Sequence, residues 1–525
     1  MNTNHLFDIY IKEVVFLSKQ NILRSAAGLM ISGILSKTVD FLFRAWYSTR
    51  LGTEGMGLFS LVFSFHGLIL TVATGGLGVA VSKTVSERYS KKDYGGIKRT
   101  MTVALTFVLA LSVTVVFGVY FFSGQIAEGF LKEPRVRNSI IFLAPSILFM
   151  SISYCIKGYF YASRKVFIPA SSEFLEQAVK ISVITYLLNI WLPKGVVHGC
   201  EAVFLGITIG EFSSCLYLTV FYIKSCFSGV KRANVKNPLP DLVRIALPAM
   251  TTSLTGSFLR MQEDVFILSG LRKSGLDQSL ALSEYGSIKG MVMPLIVFPL
   301  SLMSSFFTLL VPEISRAQGM ADKTRLKTLI ARIYRFTVFG GFLVCTVFVA
   351  FANELSAWVY SAPQIARSVR IIALLAPIMF LDSVSCGILN GLGKQTALLV
   401  YSLSDSVLRL ALIYLLVPKL GIKALFFVII ISNIFTVYHT YSQVMRSARM
   451  QFELSGWLLR HILTAAACFV TLQSFYTFFL QGTSAYSTLA AMAFTVAVYI
   501  LYASCLYKTL RQDMGWFRDR MFLNK

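Results

Sequence analysis

Charge is scarce in this chain. Only 14% of its 525 residues are Asp, Glu, Lys or Arg, against 55% hydrophobic, and the mean hydropathy is +0.67. A soluble globular fold of that length needs more polar surface, so the composition excludes one and implies a polytopic membrane protein. Long polar connections are missing too: none exceeds about twenty residues, which leaves no room for a soluble catalytic domain. The eight cysteines form no Cys-x-x-Cys pair and mostly lie inside apolar runs, so they read as small apolar residues, not disulfides or metal ligands. His5, His66, His198, His439 and His461 are scattered without His-x-x-x-His spacing. There is no Gly-x-Ser-x-Gly, and the run Gly391–Thr396 falls short of a phosphate loop because Ile388 stands where its first glycine belongs. No enzyme, metal or cofactor is therefore expected. A membrane-embedded glycosyltransferase is the distant alternative that composition alone leaves open.

What is present is a succession of apolar runs of membrane length. They number about fourteen: 25–48, 56–82, 100–122, 139–160, 171–192, 199–222, 241–270, 284–310, 329–351, 368–390, 397–417, 421–444, 457–479 and 487–507. Ahead of them, residues 1–23 form an amphipathic segment without a signal-peptide cleavage site, expected to lie on the membrane surface. An even number of spans puts both termini on one side. The termini and the loops after even-numbered spans hold roughly 27 bases, the other loops roughly 10, so both termini are expected in the cytoplasm. The same asymmetry accounts for the net charge of +24, which then signals anionic lipid headgroups and not nucleic acid.

Two blocks of the chain echo each other. Leu143-Ala-Pro145, Cys155, Lys165, Glu176 and Lys180 are followed about 230 residues later by Leu375-Ala-Pro377, Cys386, Lys394, Asp405 and Arg409. A six-span repeat keeps its orientation, so the expected architecture is an all-α membrane protein of two six-helix lobes related by a pseudo-twofold along the membrane normal, plus two C-terminal helices. The boundaries follow: an N-lobe at 24–235, a C-lobe at 236–446, two further spans in 447–508 and a cytoplasmic tail at 509–525. Gly206-x-x-x-Gly210 and Gly387-x-x-x-Gly391 permit close helix contacts.

Charges inside these spans are the functional signal. Gly33, Lys37, Asp40 and Arg44 follow steps of four, three and four, so they share one helical stripe. Each charge would cost roughly 2.5–3.5 kcal/mol facing lipid at the bilayer centre, so that stripe must face water, protein or ligand. Span 7 repeats the theme with Thr252, Gly256, Arg260 and Glu263, beside Asp264. Lys37, Arg44, Lys180, Arg260, Lys289 and Arg409, with Asp40 and His66, are the expected lining of a net-positive cavity between the lobes that accepts an anionic headgroup. Two other readings stand beside that one. Glu176–Lys180 and Asp405–Arg409 can be intrahelical ion pairs that make insertion tolerable, and Asp40, Glu263 and Asp264 can hold a coupling cation, Na+ or H+.

Leu51-Gly-Thr-Glu-Gly-Met-Gly-Leu-Phe-Ser60, Thr74-Gly-Gly-Leu-Gly-Val-Ala-Val-Ser-Lys-Thr-Val-Ser-Glu87 and Val311-Pro-Glu-Ile-Ser315 carry a resemblance. The chain resembles the stage V sporulation protein B group, in the polysaccharide-transporter branch of the multidrug/oligosaccharidyl-lipid/polysaccharide exporter superfamily. That resemblance implies alternating access and flipping of undecaprenyl-pyrophosphate-linked sugars, with basic residues of spans 1, 2 and 8 around the cavity. Lys37 and Arg44 match span 1; span 2 offers His66 and no arginine; Lys289 is the nearest base in span 8. The partners implied are a lipid-linked saccharide, membrane lipids and cell-wall synthesis proteins, in a bacterial cytoplasmic membrane. The competing expectation is a proton- or sodium-coupled drug exporter of the same superfamily.

Overall fold

In hydrocarbon every backbone N–H and C=O needs a partner within the protein, and a helix supplies them all locally. The computed structural model is helical accordingly, with no strand among the described residues. It describes the backbone of residues 3–226, 238–320, 322–450, 459, 461–471 and 485–506, and side chains from residue 32 onward within those ranges, apart from 226, 304–310, 312, 485–489 and 503–506.

The helices are α1 (Thr3–Thr74), α2 (Leu77–Ser90), α3 (Tyr94–Phe121), α4 (Arg137–Ala162), α5 (Phe167–Trp191), α6 (Val196–Cys226) and α7 (Leu239–Lys273). They continue as α8 (Gln278–Gly286), α9 (Met293–Gly319), α10 (Lys323–Ala350), α11 (Ala352–Tyr360), α12 (Ala366–Ala373), α13 (Ala376–Gly391), α14 (Gln395–Leu420), α15 (Ile422–Ala448), α16 (His461–Thr471) and α17 (Ala485–Leu506). Among the described residues nine helices are long and apolar enough to cross a membrane, ten if the bent pair Pro363–Ala373 and Ala376–Gly391 is one span. Fourteen spans are compatible with this, although about half of the expected run 457–479 and all of the tail 509–525 lie outside the described residues.

Breaks in the helices have local causes. Gly52 sits at φ 68° and ψ −176°, a conformation that only glycine adopts without strain, and it divides α1 into two helical stretches. A π-helical turn, Ser287–Val292, joins α8 to α9.

Two compact units emerge: residues 1–43 with 61–261, and residues 44–60 with 262–525. In the first, α2, α3 and α4 pack on one another and α5 and α6 pair closely, around a core that includes Val81, Met101, Ile156, Phe160 and Leu218. In the second, α13 packs on α9, α10 and α15, and α14 pairs with α15, around Ile330, Tyr334, Val338, Leu389 and Val444. A close approach anchors the 44–60 stretch within its unit: a Cβ at Gly286 would overlap the backbone of Thr53 and Gly57. Beside it Thr53 and Ser283 share a hydroxyl hydrogen bond of 2.6 Å.

Candidate functional site

The first unit builds its polar interior on a glycine contact. A Cβ at Gly206 would overlap the side chain of Ile184, and one at Gly210 would lie 3.1 Å from Lys180 Cβ and 3.2 Å from the Glu176 carbonyl oxygen. Small residues at these two positions let α6 lie against α5. Glu211, next in sequence, is thereby set within hydrogen-bonding reach of Glu176. Gly391 plays the same part in the second unit, where a Cβ would lie 3.1 Å from Ile314, whereas one at Gly387 would meet nothing within 4 Å.

Glu173, Glu176, Gln177 and Glu211 line a cavity of about 250 Å³ together with Ser36, Met150, Ser153, Tyr154 and Lys157. Lys157 Nζ is 3.3 Å from Glu173 Oε1. Lys180 turns the other way. Its ammonium donates to Asp40 Oδ1 at 3.0 Å, and Gln177 donates to the same oxygen at 3.4 Å. The expected intrahelical pair Glu176–Lys180 therefore gives way to an interhelical one, because Asp40 on α1 offers Lys180 a nearer carboxylate.

The second unit gathers its charges more tightly. Lys289 Nζ lies 2.8 Å from Glu263 Oε1 and 3.1 Å from Asp264 Oδ1. Arg409 lies 3.2 Å from Glu263 Oε2 and 3.3 Å from Asp405 Oδ2, so the Asp405–Arg409 pair expected from the i, i+4 spacing is present within a larger network. Ser432 donates to Asp405 at 2.6 Å and Thr440 donates to Asp382 at 3.1 Å. Three carboxylates thus share two bases on α7, the π-helical turn and α14. A buried charge is tolerated when paired and hydrogen-bonded in this way.

The remaining expected site residues lie elsewhere. His66 is a satisfied interior histidine: only 4% exposed, with Nε2 2.9 Å from Ser146 Oγ. It is not among the residues that line the cavity beside Lys157. Arg44 is half-buried, its guanidinium 5.5 Å from the centre of the Phe59 ring. Lys37 is exposed, and so is Arg260, which donates to Ser257 at 3.1 Å. The expected excess of bases is thus not what the buried clusters hold. Three glutamates face one lysine in the first cavity, and carboxylates outnumber bases in the second network.

Sequence spacing gives no sign of Lys157, Glu211 or Asp382 as site residues, whereas Glu173 shares the three-and-four spacing of Glu176 and Lys180. One signal for the larger pattern was legible: Gly33, Lys37, Asp40 and Gly256, Arg260, Glu263 have identical spacing. The structure gives that echo a meaning, since Asp40 pairs with the base of span 5 and Glu263 with the base of span 11.

Residues 22–318 match the family described as polysaccharide biosynthesis protein. The chain belongs to this family. Stage V sporulation protein B of Bacillus subtilis (strain 168) is 26% identical over 418 residues, 77% of this chain and 80% of that protein. Among solved structures, the lipid II flippase MurJ in its inward closed conformation superposes with a TM-score of 0.70 at 15% identity, covering 91% of this chain and 98% of that one. An inward-facing multidrug resistance MATE family transporter of the MOP superfamily gives 0.65 at 15% identity, with 81% and 100% covered. This member of the polysaccharide biosynthesis family is a multi-pass membrane protein with the fold of the MOP superfamily.

Proposed function

We propose that the chain is a flippase that moves an undecaprenyl-pyrophosphate-linked saccharide, a peptidoglycan precursor or polysaccharide unit, across the bacterial cytoplasmic membrane by alternating access. The observation that carries this reading is a set of bases kept on apolar, membrane-length helices, Lys37, Arg44, Arg260, Lys289 and Arg409, with Lys180 on the 25-residue helix α5. Such charges cost roughly 2.5–3.5 kcal/mol each if they face lipid at the bilayer centre. A diphosphate headgroup, with its oxygens spread over several ångströms, is the guest they suit best. The similarity to stage V sporulation protein B and the fold shared with the lipid II flippase MurJ support it. No covalent chemistry is required, and sporulation is the setting that the name of the first relative suggests. Both termini would face the cytoplasm, where cell-wall synthesis proteins would deliver the lipid-linked substrate.

Charge reversal tests the proposal. Lys37→Glu or Arg44→Glu should abolish complementation of a strain lacking the transporter while the protein still reaches the membrane. Undiminished growth or sporulation with both variants would sink the assignment.

A second reading, a proton- or sodium-coupled drug exporter, is favoured by one specific observation, the excess of carboxylates in the buried clusters. Asp40, Glu263 and Asp264 would then hold the coupling cation. It predicts drug efflux from cells that is lost in Asp40→Asn and Glu263→Gln, whereas the flippase reading predicts no efflux at all.

A further inference from the structure

We infer that the second unit carries a binding site for the headgroup of an anionic phospholipid, separate from the transport residues. It is a groove of about 860 Å³ at the end of the unit where α10 begins and α15 finishes. Lys327, Arg335, Arg446 and Arg449 line it, and no carboxylate is among its described lining residues. Helical spacing explains the convergence. Lys327, Ala331 and Arg335 fall four apart, so they form one stripe on α10, and Arg446 and Arg449 are three apart at the terminus of α15.

Arg449 adopts the left-handed conformation, φ 49°, that terminates α15. Among the described residues Lys327, Arg446 and Arg449 make no ion pair, so their charge is not consumed by the protein. The groove also has an apolar wall. Met445 and Met450 line it and pack at the same time against the hydrophobic core of the unit. Bases beside thioethers, at the level where two helices leave their apolar runs, match a phosphate joined to glycerol and acyl chain. A soluble anion would use the bases and leave the methionines idle. On the orientation expected from the basic loops, this is the inner leaflet.

The test is native mass spectrometry of the full-length protein in detergent, titrated with phosphatidylglycerol or with zwitterionic phosphatidylcholine. Retention of phosphatidylglycerol should exceed that of phosphatidylcholine and fall about fivefold for each base removed in Lys327→Gln, Arg446→Gln and Arg449→Asn. The pair Arg446→Lys with Lys327→Arg keeps the charge and should keep the lipid, which separates loss of the site from loss of the fold. Lys323→Gln with Arg325→Gln removes two exposed bases from the same end of α10 but outside the groove, and should change nothing. The inference is overturned if that outside pair lowers retention as much as the groove variants, if both lipids are retained equally, or if millimolar inorganic phosphate displaces the lipid.

Discussion

Lys180 reaches out of α5 to Asp40 on α1, 140 residues earlier, at 3.0 Å. The bond is interhelical although a glutamate one turn away, Glu176, was available on the same helix. In the second unit Arg409 does both, holding Asp405 in its own helix and Glu263 on α7. The side chains of Lys180 and Asp40 are 14% and 53% exposed, so the pair is an open one and not a buried tie. A double-mutant cycle on Asp40→Asn and Lys180→Gln should therefore give a coupling of only about 0.2–1 kcal/mol in thermal unfolding. Transport should fall far more than that small loss of stability explains. A coupling of several kcal/mol would make the pair a structural tie instead.

The network around Lys289 should behave in the opposite way. Glu263 and Asp264 are 8% and 6% exposed and depend on Lys289 and Arg409 for neutralisation. Removing one partner of a buried pair costs about 3–5 kcal/mol, so Lys289→Met should lower the unfolding temperature sharply. Adding Glu263→Gln to it should recover part of the loss, because one uncompensated carboxylate is gone. No recovery would mean that Lys289 acts by packing.

Backbone conformation allows a cleaner contrast. Gly52→Ala places a side chain in a conformation reserved for glycine and should destabilise the protein by about 1–3 kcal/mol. Gly33→Ala, in regular helix with nothing within 4 Å of the new methyl, should be neutral or stabilise by up to about 1 kcal/mol. Thermal unfolding of the two variants side by side checks the order.

His66 should prove structural. His66→Ala leaves the Ser146 hydroxyl without its histidine and should cost about 1–3 kcal/mol. His66→Asn, which keeps a polar group near Ser146, should restore much of the stability and retain complementation. Loss of complementation in a stable His66→Asn protein would return the residue to the substrate path.

The composition and the apolar runs fixed this as an all-helical, multi-pass membrane protein, because hydrocarbon accepts a chain only when each span satisfies its own hydrogen bonds. The i, i+4 spacing of Asp405 and Arg409 was equally legible, since it depends on one helix alone. The partners of Lys180 and Lys289 were not. Asp40 stands 140 residues from Lys180, and Lys289 reaches its carboxylates from a π-helical turn that no periodicity announces. Glu211 and Lys157 gave still less warning, each with no other charge within four residues of it on its own helix. Sequence set which residues lie within spans and which of them share a helical face. Only the packing of helix on helix, through contacts as small as Gly206 on Ile184 and Gly210 on Lys180, decided which buried charges meet, because an ion pair forms over ångströms and spacing along one helix carries no information about the next.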